Sequence, residues 1–349
     1  MTKKIEAKIV ADSIDKKGIR ITTFLLTYPR IIHSELMTHR VFSRNSASSR
    51  AIPFEKMVKM VEEDPFIPIA WQKDHKGMQG TEYLGIDKEA YAIEKWLQAR
   101  DSAVHHAKQL HSDLCGVTKQ LCNRILEPYM WHTVLVTATE YGNFFDLRCP
   151  KYKVKGLSVD CAYSKKEWRK LYQLSSAIQA EPETDIDWLK INTSQAEIHI
   201  QALAEAMWDA YMENKPKEVK PGDWHIPFGD DFDEVALEAM LPNIQPASLT
   251  WHENAITDLK VKIATARCAR LSYMTFDGDI DYKKDLILYD RLFVSHHLSP
   301  FEHCAQAFNG ADTKGFTGIM LDDATPISGN FIGYWKQYRQ IIEQECQKK

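Results

Sequence analysis

Residues 38–53, THRVFSRNSASSRAIP, concentrate hydrogen-bond donors in a stretch that contains no acidic side chain. Arg40, Arg44 and Arg50 lie there among four serines and one asparagine. Phosphate binds well to guanidinium groups, hydroxyls and backbone N–H groups, and this run offers all three. A solvated basic surface is the simpler interpretation of the run alone. A preceding strand and short helix, which would aim the run, favour a phosphate-binding loop.

The segment SHHLSPFEH, 295–303, is a second candidate site. Residues 299–302 fit a capping box with proline at the first helical position, which is a structural role. A metal site is the alternative, although no HExxH or HxH spacing supports it. Its ligands would come from three histidines: His296, His297 and His303. His297 precedes the expected cap, where it would face a ligand bound at the helix N-terminus.

Arg148 ends the largely apolar stretch GNFFDLR, 142–148, and is therefore expected to be only partly exposed. A partly buried guanidinium requires a partner, either a ligand or a structural carboxylate. The spacing favours a structural partner, Asp146 or Glu140. Arg124, in the segment CNRILEP, is interpreted in the same way.

The elements that must position these residues follow from hydrophobic periodicity. Apolar residues alternate over 19–25, which predicts a strand that Pro29 ends. A short helix is expected over 32–37. The run 38–53 is then predicted to be a loop, because serine and asparagine side chains compete for the local backbone. A further strand is predicted around 134–136.

Five helices are predicted from apolar residues that repeat with helical spacing. They cover Lys88 to about Leu114, Lys119–Leu126, Ala196–Met212, Lys260–Ser272 and Tyr282–Val294. The segment 215–248 is rich in proline and glycine, so it is predicted to connect two parts of the fold.

The chain has 349 residues, 44% hydrophobic and 26% charged, a composition that allows one large domain or two ordinary ones. A formal net charge of −4 argues against general affinity for nucleic acid or membrane surfaces, so any anion site is local. Seven cysteines without a CxxC pair favour a reducing cytoplasm over a disulfide framework. The first residues, MTKKIEAKIVADS, show no apolar core of signal-peptide length, and the sequence contains no bilayer-spanning run, GxSxG elbow, GxGxxG fingerprint or Walker loop.

Together these segments resemble the flavin-dependent thymidylate synthases, the ThyX family. That family's signature is RHR, seven residues and then serine. The matching residues here are Thr38, His39, Arg40 and Ser48, with Asn45 and Arg50 at corresponding places. Four further family segments have counterparts: NFxxLR in 143–148, HAQxEI in 195–198, AARxSY in 269–273 and GHxSPFEH in 296–303.

The order of these segments differs from the family, in which AARxSY and GHxSPFEH precede RHR. Here they follow it, so the chain resembles a circularly permuted member, which suits folds whose termini lie close together. The resemblance implies one catalytic domain over 1–349, in blocks 1–214 and 249–349 joined by the connection 215–248. It also implies a mixed α/β (α+β) fold with a central sheet and flanking helices.

The resemblance implies a chemistry that composition and spacing do not show. Members convert dUMP to dTMP with methylenetetrahydrofolate as carbon donor, NADPH as reductant and bound FAD as hydride carrier. They are homotetramers whose sites combine several subunits, and they hold the flavin without a Rossmann fold. The expected partners are a pyrimidine nucleotide, folate and other copies of the chain, with no metal, nucleic acid or membrane. The expected location is the cytoplasm, or the host cytoplasm for a viral protein.

The resemblance also assigns site residues by position. Arg148 is expected to be catalytic, because a fixed cation at the uracil edge stabilises negative charge on the activated ring. The residues expected to bind the nucleotide are Glu35, Ser46, Ala47, Ser48, Arg50, Arg124 and Arg148. The residues expected to bind the flavin are His39, Arg40, Asn45, Asn143, His297 and Ser299.

Several positions depart from the family pattern, mostly where flavin and nucleotide would meet. Thr38 replaces the first arginine of RHR, Glu35 replaces a glutamine and Ser46 replaces a glutamate. Threonines take the places of a histidine, an asparagine and an arginine: Thr193, Thr137 and Thr139. These changes leave two alternatives open: a related enzyme that hydroxymethylates a pyrimidine nucleotide, and a nucleotide-binding protein without catalysis. The third alternative is a metal-dependent hydrolase that uses His296, His297 and His303.

Overall fold

The computed structural model describes residues 3–76, 82–156, 161–175, 180–241, 249–271, 281–307, 330–331 and 335–347. They form a mixed α/β fold in which helices cover both faces of a central sheet, which confirms the predicted fold class. Within those ranges no helix combines the length and the apolar composition that crossing a membrane requires.

The central sheet is mostly antiparallel. The strands are β1 (Glu6–Ile14), β2 (Arg20–Pro29), β3 (Ser43–Ser46), β4 (Trp131–Ala138), β5 (Tyr152–Lys153), β6 (Cys161–Ala162), β7 (Lys217–Glu218), β8 (Trp224–His225), β9 (Ala305–Ala307) and β10 (Trp335–Gln337). Five of them lie in the order β3-β4-β2-β1-β7, and only the pair β1 and β7 is parallel. A second sheet has the order β10-β9-β8, and β5 pairs with β6.

Helices of very different length surround the sheets. They are α1 (His33–Met37), α2 (Phe54–Glu63), α3 (Ile86–His111), α4 (Lys119–Leu126), α5 (Gly142–Arg148), α6 (Lys165–Leu174), α7 (Asp185–Ile191), α8 (Ile198–Glu213), α9 (Glu234–Glu238), α10 (Leu249–Arg270), α11 (Tyr282–Val294) and α12 (Tyr338–Gln347). Short 3-10 turns cover 30–32, 127–129, 229–231 and 299–302.

Strand β4 divides the core, because alternate residues of a strand face opposite sides of a sheet. Val134 and Val136 are fully buried in one cluster with Phe144 of α5 and Leu203 of α8. Leu135, between them, is buried in a second cluster with residues of α10 and α11. The sheet therefore has an apolar layer on each face.

Two helix predictions are confirmed at both ends, Lys119–Leu126 and Tyr282–Val294. Local signals explain this accuracy, since the Thr118 hydroxyl caps the first helix and the Asp281 carboxylate caps the second. Three other helix predictions are confirmed with shifted ends, at α3, α8 and α10. Ser272, the predicted end of the last of these, lies outside the described residues, as does Tyr273 of the AARxSY counterpart.

The predicted loop over 38–53 is wrong at its centre, because Ser43–Ser46 form β3 and pair with β4. Ser43 and Asn45 are buried, and each finds a side-chain partner inside the fold. The Ser43 hydroxyl lies 3.0 Å from the Gln337 amide nitrogen, 294 residues away in the chain. Polar side chains that would favour a loop are therefore satisfied in a strand by distant partners.

The proline- and glycine-rich connection contributes two short strands to the fold. β7 pairs with β1, and β8 pairs with β9. His225 of β8 is fully buried. Residues 242–248 of the connection lie outside the described residues, and the division of the chain into two blocks stays a prediction.

Five buried side chains form what we call the hydroxyl–imidazole chain. Ser13 Oγ lies 3.0 Å from His225 Nδ1, and His225 Nε2 lies 2.8 Å from Thr23 Oγ1. The hydroxyls of Thr23 and Thr137 are 2.7 Å apart, and Thr137 Oγ1 lies 2.8 Å from His303 Nδ1. Burial lowers the pKa of both histidines to about 3, so the chain joins distant segments without burying a charge.

Candidate functional site

Arg148, at the end of α5, is half-buried and is held by two uncharged groups. Its Nε donates to His39 Nε2 at 3.1 Å, and its Nη2 donates to Thr38 Oγ1 at 3.2 Å. The expected partial exposure is confirmed, but the expected structural carboxylate is wrong. Asp146 accepts a hydrogen bond from the Tyr163 hydroxyl, and Glu140 accepts one from the backbone N–H of Gly142.

No carboxylate of the described residues forms an ion pair with Arg148. A half-buried guanidinium with only neutral acceptors keeps its full positive charge in a partly desolvated position. Such a group attracts an anion or a developing negative charge more strongly than one already paired with an acid. Arg148 is therefore suited to contact a ligand.

His39 is buried beside Arg148 and packs on two aromatic rings. Its ring centroid lies 5.7 Å from that of Phe42 and 4.9 Å from that of Phe144. Burial, and then the guanidinium groups of Arg148 and Arg44, lower the pKa of His39 to about 4. Its imidazole is therefore neutral at pH 7. Because arginine only donates, His39 Nε2 accepts from Arg148 and Nδ1 carries the ring proton.

The fold brings Thr38 and His39 to Arg148 through α1. The chain leaves β2 at Pro29, passes a 3-10 turn and enters α1, whose Leu36 is fully buried. At the end of α1 the Thr38 hydroxyl donates to the carbonyl of Glu35 at 2.7 Å. Arg44, a donor of the run 38–53 to which the resemblance assigns no role, supports the same turn by donating to the Met37 carbonyl at 2.9 Å.

A second group of predicted site residues lies after β3, where the backbone is fastened to α4. Asn123 Nδ2 donates to the carbonyls of Ser49 and Ile52 at 2.8 and 3.0 Å. The Ser49 hydroxyl donates to Glu127 Oε1 at 2.5 Å, and the N–H of Ala47 donates to the Thr133 carbonyl at 3.0 Å. Asn123 was missed by sequence reasoning, because nothing local distinguishes a buried asparagine in a helix.

This second group presents two cations next to a fixed backbone. Arg50 and Arg124 are exposed, and neither has a partner among the described residues. The prediction that Arg124 is partly buried is wrong, because the apolar side of α4 is formed by Cys122 and Leu126 and Arg124 faces solvent. Together with the partly exposed Ser48, these arginines can bind a phosphate group.

The capping box predicted at 299–302 is wrong. The Ser299 hydroxyl does not cap the turn and instead donates to Asn45 Oδ1 of β3. Glu302 pairs with Arg339, with 2.5 Å between Oε1 and Nη1. Both side chains that the capping box would use are therefore engaged in tertiary contacts. The first of these contacts joins Asn45 and Ser299, two residues expected to bind the flavin.

The three histidines of 295–303 do not gather at one point. His296 and His297 are exposed, whereas His303 is fully buried against Thr137. Over the described ranges, no three His, Cys, Asp or Glu side chains are placed to hold a metal ion. Thr137 is also unavailable to a cofactor, because it is fully buried within the hydroxyl–imidazole chain.

The remaining predicted residues lie near these groups. Arg40, which follows His39, and Asn143, on the same helix as Arg148, are both exposed. Glu35 is partly exposed, and its carboxylate accepts from the Ser34 hydroxyl at 2.9 Å. Ala47 is buried and Ser46 is partly exposed at the end of β3. Cys149 follows Arg148, but burial raises the pKa of its thiol, so it is not a thiolate nucleophile.

The structure therefore brings the predicted residues together in two separate places. Thr38 and His39, which precede β3, hold Arg148 at the end of α5. Ser48 and Arg50 follow β3, and Arg124 lies on α4, which is fastened to the loop after β3. The four residues of β3 extend over about 10 Å between the two. Within the described part of the chain, no hydrogen bond joins one group to the other.

Comparison with known proteins yields similarity to solved structures. No family model matches the sequence, and no curated protein matches it significantly. The chain is similar to a UMP/dUMP methylase, PolB, from Streptomyces cacaoi bound with 5-Br UMP, with 15% identity, coverage of 60% of this chain and 89% of that chain, and a TM-score of 0.41. It is also similar to flavin dependent thymidylate synthase ThyX from Helicobacter pylori complexed with FAD and dUMP, with 16% identity, coverage of 55% and 67%, and a TM-score of 0.27.

Proposed function

We propose that this protein is a flavin-dependent thymidylate synthase-like enzyme that converts dUMP to dTMP with methylenetetrahydrofolate and NADPH through bound FAD. One observation carries the proposal. Arg148, the residue that the resemblance assigns to the uracil edge, lies between two neutral acceptors and has no compensating carboxylate among the described residues. A fixed cation of this kind stabilises negative charge on a pyrimidine ring as its C5 position is activated.

The second group would hold the nucleotide phosphate. Arg50 and Arg124 are exposed, unpaired within the described part of the chain and attached to a backbone that Asn123 fastens. We propose that one nucleotide takes this group and Arg148 from different copies of the chain, as the resemblance implies for sites that combine several subunits. The homotetramer implied by the resemblance is thus part of the proposal.

Three residues that the resemblance assigns to the flavin suit it by type and exposure. Arg40, Asn143 and His297 are exposed donors with no partner among the residues described. Three apolar side chains near Arg40 and Asn143 in the sequence are also exposed. Their exposed fractions are 42% for Met37, 48% for Val41 and 55% for Leu147. Donors and apolar surface together suit a flat, polar-edged ring system with attached phosphates. When bound, FAD would supply hydride chemistry between NADPH and the one-carbon unit.

We also propose that the chain is a circularly permuted member of that family with a single catalytic domain. The contact between Ser299 and Asn45 supports the single domain, because it joins the block 249–349 to β3 of the block 1–214. The hydroxyl–imidazole chain adds a second link between the two blocks, through Thr137 and His303. The C-terminal block is thus part of the same core.

The test is product analysis with the purified protein, dUMP, labelled methylenetetrahydrofolate, FAD and NADPH. We expect labelled dTMP from the wild type and almost none from Arg148→Lys, since lysine keeps the charge but not the planar fork. Arg169→Ala, on α6, is the matched control and should retain activity. Hydroxymethyl-dUMP as the sole product would indicate the related enzyme. A colourless protein that binds dUMP without retaining FAD would indicate a nucleotide-binding protein.

A further inference from the structure

Thr38 stands where the resemblance expects an arginine, and its hydroxyl donates one hydrogen bond and accepts another. Its single hydroxyl proton is donated to the Glu35 carbonyl at 2.7 Å. The hydroxyl oxygen can therefore only accept from Arg148 Nη2, which lies 3.2 Å away. The bond to Glu35 belongs to the end of α1, so the acceptor is held by the backbone of that helix.

His39 supplies the second acceptor, and the direction of its hydrogen bond with Arg148 is also fixed. Its neutral ring accepts from Arg148 Nε at 3.1 Å, because the guanidinium carries donors only. Nε and Nη2 of Arg148 are thus both engaged. Nη1 has no partner in the part of the chain that the structure describes. The planar guanidinium is therefore held on one side, and Nη1 remains available to a ligand.

We propose that Thr38 is a positioning residue for Arg148, which together with His39 orients the guanidinium so that Nη1 faces an oxygen of the pyrimidine nucleotide. The inference rests on the proposed function and specifies how the site replaces a missing arginine. An arginine at position 38 would repel Arg148, and a carboxylate would neutralise it. A threonine orients Arg148 and leaves its charge for the ligand.

The first test compares Thr38→Val with Thr38→Ser in steady-state kinetics. Valine keeps the shape of the side chain but removes the acceptor, so kcat/KM for dUMP should fall about tenfold to a hundredfold, mainly through kcat. Serine keeps the hydroxyl and should restore the rate to within about threefold. Thr27→Val, in β2, is the matched control, because the Thr27 hydroxyl has no side-chain hydrogen bond within the described part of the chain. A kcat/KM for Thr38→Val equal to that of this control would overturn the inference.

The second test follows the His39 ring by NMR in protein labelled at histidine. If Thr38→Val releases Arg148, the pKa of His39 should rise from about 4, because Arg148 is the larger of the two cationic causes that depress it. Arg44, the other cation facing His39, is unchanged by this substitution. If the contact between Thr38 and Arg148 did not orient the guanidinium, its loss would leave the pKa of His39 unchanged. An unchanged titration in Thr38→Val would therefore also count against the inference.

The two tests separate this inference from the proposed function. Failure of the wild type to make dTMP would contradict the proposed function. The His39 titration requires no turnover and would still decide whether Thr38 positions Arg148. Conversely, a wild type that makes dTMP, with a fully active Thr38→Val, would leave the proposed function standing and refute the role of Thr38.

Discussion

Mildly acidic pH should destabilise this protein, because two fully buried histidines stay neutral in the folded state. His225 and His303 have a pKa of about 3 when folded and about 6.5 when unfolding exposes them. Between those values the unfolded state binds more protons, so the free energy of unfolding falls as pH falls. From pH 7 to pH 5 this amounts to about 2 kcal/mol for each histidine, or about 4 kcal/mol for the pair.

That loss is large compared with the stability of about 5–15 kcal/mol that is typical of a folded protein. The lowered pKa values of His33, His39 and His132 act in the same direction. Urea unfolding at pH 7, 6 and 5, followed by the fluorescence of the nine tryptophans, measures the effect.

His303→Asn is the informative variant for this prediction. The asparagine amide can occupy the place of Nδ1, which contacts Thr137, but it does not titrate. The loss of stability between pH 7 and pH 5 should shrink by about 2 kcal/mol. His105→Gln, on the exposed side of α3, should leave the loss unchanged. A wild-type free energy of unfolding that changes by less than about 1 kcal/mol over this range would refute the reasoning.

Three further substitutions test other parts of the structure. Arg148→Ala should lower kcat about a hundredfold to a thousandfold but barely change the melting temperature, because Arg148 is half-buried with two hydrogen bonds. A large fall in the melting temperature would instead indicate a structural role. Arg124→Ala should raise KM for dUMP more than it lowers kcat, and equal KM values would exclude a phosphate contact. Thr137→Val should cost about 2–4 kcal/mol in urea unfolding, because Thr23 and His303 each lose a buried partner; a cost no larger than that of Thr27→Val would contradict this.

Much of the secondary structure could be predicted because its signals are local. Both ends of Lys119–Leu126 and Tyr282–Val294 were predicted, since apolar spacing and a capping side chain act within a few residues. Pro29 was likewise predicted to end β2. The capping box at 299–302 failed for the opposite reason. Its serine fits the local pattern, yet the hydroxyl bonds to Asn45, 254 residues away.

The membership of the candidate site stays a prediction, and the structure changes the partners expected of its residues. Arg148 was identified by its type and position, but the expected partners Asp146 and Glu140 are engaged elsewhere, and Thr38 and His39 hold it instead. Sequence spacing ranks neighbours in the chain first, whereas the fold brings residues 109 and 110 positions apart within hydrogen-bond distance. The direction of each bond then follows from donor and acceptor chemistry, which no pattern of spacing contains.

The sequence by itself determined five of the helices and the residue types able to bind an anion, because these depend on residue type and on short-range periodicity, whereas the family resemblance implied the mixed α/β class. The tertiary structure alone decided that Ser43–Ser46 form a strand, that Thr137 is buried and that Arg148 has no charged partner among the described residues. The physical reason is common to all three. Burial and charge compensation depend on the groups that distant parts of the chain bring into contact, and these groups exist only when the chain is folded.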